Sequence, residues 1–296
     1  MKKPDFLIIG AGRSGTTWLY ENMKKFKTIW LPPIKEIHYF DRNIFYPSPS
    51  FLNESIFLKR LLGNESYNKA FRKKMIRNIG KSVINFDLNS VLWKIKYFTG
   101  KINDEWYTSL FNTTEEKITG DITPAYQLLE KEDVSHISQI NPDAKIIFII
   151  RNPIDRTWSQ LRKNLQIEYG FDEIKNIISS PDVTLRNDYL RTINIWKKYF
   201  PSSNFKLIFF DDIINQPNEL LNDIFLFITE NKNKSTYKIE RTDSKINIAP
   251  WSEMSEKMEK ILTIELMPLL EDLANNIDGY PAKWLHNAKE RLYHLS

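Results

Sequence analysis

Phe6-Leu7-Ile8-Ile9-Gly10-Ala11-Gly12-Arg13-Ser14-Gly15-Thr16-Thr17-Trp18 is the stretch on which the reading of this chain turns. Phe6–Ile9 is a short apolar run of the kind that forms a strand buried on both faces. The glycines that follow let the backbone turn sharply and bring its N–H groups close to an anion. A helical pattern over Thr16–Phe26 comes next, so a helix start and its dipole point at the same place. Arg13 adds a permanent forked charge, and Ser14, Thr16 and Thr17 add hydroxyl donors.

Three nucleotide-binding readings compete for Gly10–Thr17. Gly10-x-Gly12-x-x-Gly15 matches the dinucleotide fingerprint, which wants an acidic residue ending a second strand ~20 residues later. Glu36 stands at that distance, but Leu31-Pro32-Pro33-Ile34-Lys35 is a poor strand. The segment also approaches a Walker A loop, with Thr16 in place of the lysine that holds β- and γ-phosphates. The third reading is a P-loop relative that binds a nucleotide through a 5′-phosphate-based group alone. A structural glycine turn is the plain alternative to all three.

Outward from this loop, Lys145–Ile150 and Phe205–Phe210 read as further buried strands, and Lys117–Gly120 as a possible fourth. Helical patterns cover Ile154–Leu165, Leu185–Tyr199 and Glu219–Ile228, and a C-terminal helix runs from about Ser252 to Asn275 with an interruption near Pro268. Strands alternating with helices predict an α/β fold: a P-loop-like, three-layer arrangement with a central, mostly parallel sheet flanked by helices. The whole of 1–296 is expected to form one domain. Within it, Phe45–Phe111, rich in Asn, Lys and aromatics, reads as a helical and loop insertion walling one side of a cleft.

Composition narrows the chemistry. The 296 residues carry a net charge of +5 and no cysteine, which excludes disulfides, thiol catalysis and Cys-based zinc sites. A Cys-free chain fits a reducing, cytoplasmic setting. No signal-peptide core and no membrane-spanning run is legible, and no nucleic-acid module is recognisable. The four histidines show no metal-ligand spacing, so no metal is expected.

Two further segments carry chemistry. Lys145–Ile150 ends in Arg151-Asn152-Pro153-Ile154-Asp155-Arg156-Thr157-Trp158-Ser159. An arginine at the carboxyl end of a parallel strand sits where α/β folds bind ligands, and Pro153 suits a helix start. Arg151 and Ser159 are candidates for a second phosphate; a structural pair of Arg151 with Asp155 reads equally well. In Lys35-Glu36-Ile37-His38-Tyr39-Phe40-Asp41, alternation along an extended segment would turn Glu36 and His38 to one cleft. A carboxylate there can take a proton from an attacking hydroxyl or amine. A solvated Lys35–Glu36 pair with a core histidine is the alternative.

Together, Gly10–Thr17 and Arg151–Ser159 resemble the 5′-phosphosulfate loop and 3′-phosphate motif of the sulfotransferase superfamily, whose donor is 3′-phosphoadenosine 5′-phosphosulfate (PAPS). Lys35–Asp41 resembles the motif of the heparan sulfate glucosaminyl 3-O- and N-sulfotransferases, as does Gly120-Asp121-Ile122-Thr123-Pro124-Ala125-Tyr126, where Ile122 replaces a family lysine. The resemblance implies that Glu36 is the catalytic base, supported by His38 and Asp41. It implies that Arg13 stabilises the leaving phosphate, and that Gly12, Arg13, Ser14, Gly15, Thr16, Thr17, Arg151 and Ser159 hold the donor. Lys245, in a loop expected over the nucleotide, is a further donor contact. Lys35, Asp41 and Tyr126 fall on the acceptor side, as do Trp106 and Tyr107, which read equally well as ordinary core aromatics. The expected reaction moves a sulfuryl group from PAPS to a hydroxyl or amine acceptor, a glycan first, releasing 3′,5′-ADP. An ATP-dependent P-loop kinase and a non-catalytic binder of acidic polysaccharide are the other two readings.

Overall fold

The computed structural model describes residues 2–48, 51–113, 116–162, 171–230 and 254–295. Five strands form one all-parallel sheet: β1 (Phe6–Gly10), β2 (Ile29–Trp30), β3 (Ile118–Ile122), β4 (Lys145–Ile150) and β5 (Phe205–Phe209), in the order β2-β3-β1-β4-β5. Strands β1, β4 and β5 lie where they are expected, β3 is displaced slightly from Lys117–Gly120, and β2 has no counterpart among the expected strands. Two residues give β2 no period to read; Ile29 and Trp30 become a strand by pairing with Ile118 and Thr119.

Strand alternation divides the core. Leu7, Ile9, Ile146, Phe148 and Ile150 face one apolar layer, and Phe6, Ile8, Ile147 and Ile149 face the other. The second layer is closed by α1 (Thr16–Met23), through Trp18, Leu19 and Met23, and by α12 (Pro217–Ile228), through Leu220, Leu221 and Ile224. The first is closed by α7 (Pro153–Leu161), α10 (Tyr189–Tyr199), α13 (Glu256–Asn276) and α14 (Tyr280–Leu295). Close packing between strands fixes the register. Phe6 stands opposite Gly120, where any Cβ would lie 2.1 Å from the Phe6 ring.

Helices expected from the sequence change at their ends for local reasons. The pattern over Leu185–Tyr199 splits into α9 (Pro181–Asn187) and α10, because the Asp188 carboxylate leaves the helix to cap the N–H of Arg191. The interruption expected near Pro268 does not occur: α13 is continuous with Pro268 inside it. Proline removes the bond to the carbonyl of Ile264, and Ile264 is 50% exposed, so that carbonyl lies on the wet side. The buried row Ile261, Leu262, Leu266, Leu270 and Leu273 holds the helix through this defect. The chain between Phe45 and Phe111 forms α2 (Phe57–Leu62), α3 (Ser66–Ile84), α4 (Leu88–Thr99) and α5 (Asp104–Ser109), with no strand among its described residues. Helices α6 (Lys131–Ile140), α8 (Phe171–Ile178) and α11 (Phe210–Asn215), with 3₁₀ turns at Pro124–Leu128 and Ser202–Asn204, complete the described elements.

Because every strand is parallel, the carboxyl ends of β1, β3 and β4 open on one edge of the sheet. Strand order reverses there, with β1 between β3 and β4, so Gly10, Ile122 and Arg151 meet at a topological switch point.

Candidate active site

The glycine loop sits at that switch point. Gly15 has φ +88 and a Cβ there would stand 2.5 Å from Ile213 Cδ1, so only glycine fits. Arg13 also takes a left-handed φ of 71. The first helical bond of α1 runs from Leu19 N–H to Gly15 O, and the N–H groups of Thr16 and Thr17 precede it. No acidic residue occupies this first turn. The Ser14 N–H is engaged by Ala11 O, and the Ser14 side chain is fully buried beside Tyr189. Ser14, whose hydroxyl has no hydrogen-bond partner among the described residues, and Thr16 lie inside the loop, while Gly12, Arg13, Gly15 and Thr17 are its half-buried members.

Positive charge gathers around the loop. Burial lowers the pKa of Arg13, the nearby Arg162 and Arg186 lower it further, and Glu36 alone raises it. Arg151 is oriented from three sides. It donates to Arg13 O at 3.2 Å, stacks its guanidinium on the Phe210 ring at 4.3 Å, and its own carbonyl accepts from the Tyr189 hydroxyl. Its Nε is buried without a hydrogen-bond partner among the described residues. Asp155 lies near enough for its charge to favour the Arg151 cation, but the two form no ion pair, so the strand-end pair read from sequence is not made. Ser159 lies half-buried on the second turn of α7. Beneath Gly10 and Gly12 runs Gln127, a residue the sequence reading passed over. Its amide is buried, and neither Oε1 nor Nε2 has a partner among the described residues.

Beside the loop lies a continuous chain of charged groups. Lys35 Nζ donates to Thr17 Oγ1 at 2.8 Å, to Thr16 Oγ1 at 3.4 Å and to Glu36 Oε1 at 3.1 Å. Glu36 Oε2 is 3.4 Å from His38 Nε2, and His38 Nδ1 is 2.7 Å from Asp41 Oδ2. The Ser48 hydroxyl also donates to Asp41. Glu36 is 37% exposed, whereas His38 and Asp41 are buried, so the carboxylate is the member that meets the cleft.

The electrostatics follow from this order. Burial works to raise the Glu36 carboxyl, but the bond from His38 and the Lys35 charge prevail and hold it at about 2. Burial works to lower His38, and the Asp41 and Glu36 carboxylates overcome it, raising the imidazole to about 9. At neutral pH the group is a carboxylate–imidazolium–carboxylate row with Lys35 at its open end.

The convergence expected of Glu36 and His38 is present, but not through an extended segment. Both residues are left-handed, with φ 67 and φ 57. Such backbone persists only where its surroundings over-determine it. Here Glu36 N–H donates to Ile122 O, Ile37 N–H to Thr123 Oγ1, and Tyr39 N–H to the Tyr126 hydroxyl, while the Tyr97 hydroxyl donates to Ile37 O. The anchor is Asp121, fully buried, which accepts from Thr123 Oγ1 and from the hydroxyls of Tyr107 and Tyr126.

Three aromatics expected on the acceptor side lie elsewhere. Trp106, Tyr107 and Tyr126 are 5%, 1% and 0% exposed. Trp106 donates to Lys96 O, and the two tyrosines donate to Asp121. They lie under the site and hold its loop rather than facing a ligand; sequence cannot separate a buried tyrosine with an internal partner from an exposed one. Asp41, likewise 0% exposed, meets His38 rather than the cleft. Ile122 packs apolar neighbours at 3% exposure. A cation the sequence reading missed comes instead from α3: Lys74 Nζ sits 3.8 Å over the Phe51 ring, and Phe51 is edge-on to His38. Burial lowers Lys74 to about 8, opposed by the carboxylates of Glu36 and Asp41. Its helix is sixty residues from the loop in no legible motif, so nothing in the sequence singled it out. Lys245 lies outside the described residues.

A glycine loop opening a helix at the switch point of a parallel sheet defines a P-loop-like α/β fold. The family model described as the Sulfotransferase family matches residues 4–231, and the chain belongs to that family. It is similar to heparan sulfate glucosamine 3-O-sulfotransferase 6 of Homo sapiens, at 26% identity over 125 residues, which is 38% of this chain and 35% of that protein. The chain thus aligns with about a third of that curated relative. Among solved structures, a sulfotransferase from Alicyclobacillus acidocaldarius superposes with a TM-score of 0.60 at 19% identity, over 96% of this chain and 99% of that one. The sulfotransferase domain of the Synechococcus PCC 7002 olefin synthase gives 0.51 at 16% identity, over 84% and 81%. These two likenesses establish the fold.

Proposed function

We propose that this sulfotransferase moves the sulfuryl group of PAPS to a hydroxyl or amine of a carbohydrate acceptor, with Glu36 as the base. The observation that carries the reading is the row Thr17–Lys35–Glu36–His38–Asp41, which joins the phosphate loop to an accessible carboxylate. In the reaction the acceptor oxygen or nitrogen bonds to sulfur as its proton passes to Glu36. The bond from sulfur to the bridging phosphate oxygen breaks, and 3′,5′-ADP leaves with that electron pair.

Each residue has a role set by its charge. Arg13 and the N–H groups of Gly15, Thr16 and Thr17, approached through Gly12, stabilise charge on the leaving phosphate; one such preorganised donor is typically worth ~3–4 kcal/mol. Ser14 holds the loop in shape. Arg151, with Ser159, holds the 3′-phosphate, and the unpartnered Gln127 amide is available to the donor beneath the loop. Lys35 has two tasks. While it bonds Glu36 it keeps that carboxylate a weak base. A sulfuryl or phosphate oxygen at Thr16 and Thr17 draws the ammonium away, so donor binding strengthens the base when it is needed. His38, oriented by Asp41, keeps Glu36 aimed at the cleft, and Lys74 supplies the cation that Ile122 does not, facing an acidic acceptor.

A glycan acceptor is supported by the similarity to a glucosamine sulfotransferase, and a cytoplasmic site of action by the absence of cysteine. The test has two arms. Thermal shifts should show stabilisation by 3′,5′-ADP without magnesium and little by ATP with magnesium. Transfer of labelled sulfate from PAPS should then favour glucosamine-containing oligosaccharides over lipids and small alcohols. Stabilisation by ATP alone would overturn the donor assignment; transfer to a lipid or small alcohol alone would overturn the acceptor.

A further inference from the structure

The hairpin α3–α4 carries features that the transfer site does not use. Seven of the fifteen large apolar side chains exposed among the described residues lie on it, between Ile76 and Ile95. Between Ser66 and Thr99 there are eight Lys and Arg against one acidic residue, a surplus of seven in a chain whose total surplus is five, so the remainder is net negative by two. A basic, apolar-faced helical pair on an otherwise mildly acidic protein is a marked asymmetry.

The exposed residues fall on single faces. On α3, Lys69, Lys73, Ile76, Arg77, Gly80 and Ile84 recur at helical spacing and are exposed, save Gly80, which is half-buried and whose Cβ position meets open space. On α4, Leu88, Leu92 and Ile95 form the matching exposed row, at 74%, 66% and 42%. The inner faces are spent on each other: Lys94 Nζ reaches Ser82 Oγ and Asn78 O between the two helices. Lys69, Lys73, Arg77 and Lys81 make no ion pair among the described residues.

The tip sharpens the point. Asp87 N–H donates to Ser82 O and Phe86 N–H to Val83 O, the paired bonds of a helix-ending motif whose left-handed position normally belongs to glycine. Here that position is Phe86, at φ 52 and 91% exposed. The fold gains nothing from the phenyl ring and would be easier to form without it. Val83, Ile84 and Leu88 stand exposed around it.

We propose that the α3–α4 hairpin docks this enzyme onto an anionic phospholipid surface, with Val83, Ile84, Phe86 and Leu88 entering the interface and Lys69, Lys73, Arg77 and Lys81 meeting the headgroups. An apolar tip behind a row of free cations is the pattern of an interfacial helix, which takes up lipid by apolar burial and charge together. An acidic polysaccharide would use the cations and leave the apolar tip in water. A second copy of this basic hairpin would set like charges against each other.

The purified full chain is tested by co-sedimentation with vesicles of phosphatidylcholine alone and of phosphatidylcholine with phosphatidylserine. Binding to the mixed vesicles, weakened by salt, is expected, with little to the neutral ones. Phe86→Gly should weaken that binding about tenfold, the scale of withdrawing one large apolar side chain, while its melting temperature stays level or rises. Leu88→Ser should weaken binding similarly, and Ile264→Ser, on a distant exposed site, should not. The inference fails if neither vesicle binds, if Phe86→Gly binds as the parent does, or if neutral and anionic vesicles bind alike. It fails equally if the only property Phe86→Gly alters is self-association, or if heparin, not lipid, is what the hairpin binds.

Discussion

Replacing His38 by Asn tests the charged row directly. His38 bridges Glu36 at 3.4 Å and Asp41 at 2.7 Å with both partners' charges upon it. Its removal leaves Asp41, 0% exposed, with Ser48 as its remaining hydrogen-bond donor. Stranding one member of a buried pair costs about 3–5 kcal/mol, which for a chain of this size lowers the melting temperature by roughly 6–15 °C. The pH dependence carries the sharper signature. The His38 pKa rises from 6.5 to about 9 on folding. A raised base contributes stability in full below its unfolded pKa and loses it as pH climbs to the folded value. At ~1.4 kcal/mol per unit the loss totals about 3 kcal/mol, of which about 2 kcal/mol falls between pH 6.5 and 8. Lys74, lowered to about 8, acts in the opposite sense but only above that value, so the lower window is His38's own. Urea denaturation of both proteins at pH 6.5 and pH 8 reads the difference. The wild type should lose stability across this interval more steeply than His38→Asn, so the gap between them narrows. Equal slopes, or a variant as stable as the parent, would refute an imidazolium held between two carboxylates.

Three further outcomes follow from single contacts. Gly15→Ala forces a side chain into φ +88 and against Ile213; it should cost about 1–3 kcal/mol in denaturation and weaken 3′,5′-ADP binding in calorimetry by about tenfold or more. Lys74→Met removes a cation that burial disfavours, so melting should stay level or rise while KM for an acidic acceptor increases and 3′,5′-ADP affinity is unchanged. Pro268→Ala restores a helical donor inside α13 and should stabilise the chain by about 1–3 kcal/mol without altering transfer.

Much of the site was legible because its residues are local in sequence. Gly10–Thr17 and Lys35–Asp41 are each contiguous, and the first builds its cradle from its own backbone. Arg151 was legible because a strand end is. What sequence concealed is long-range. Trp106, Tyr107 and Tyr126 differ from exposed aromatics only through Lys96 O and Asp121, partners whose proximity depends on the fold. Lys74 reaches the site from a helix whose period marks it as surface. The left-handed backbone at Glu36 and His38 is imposed by Ile122, Thr123 and Tyr126, so an extended reading brought the same two side chains together for a different reason. Pro268 misled because a local penalty yields to five buried side chains along α13.

Glu36 is proposed to take the acceptor's proton, while Lys35, not Glu36, reaches the donor loop. Labelled sulfuryl transfer from PAPS by wild type and Glu36→Gln, measured beside 3′,5′-ADP affinity, tests it most directly. Turnover is expected in the wild type and should fall at least about a hundredfold in the variant, with 3′,5′-ADP bound by both within a few-fold. Wild-type turnover retained by Glu36→Gln would contradict it.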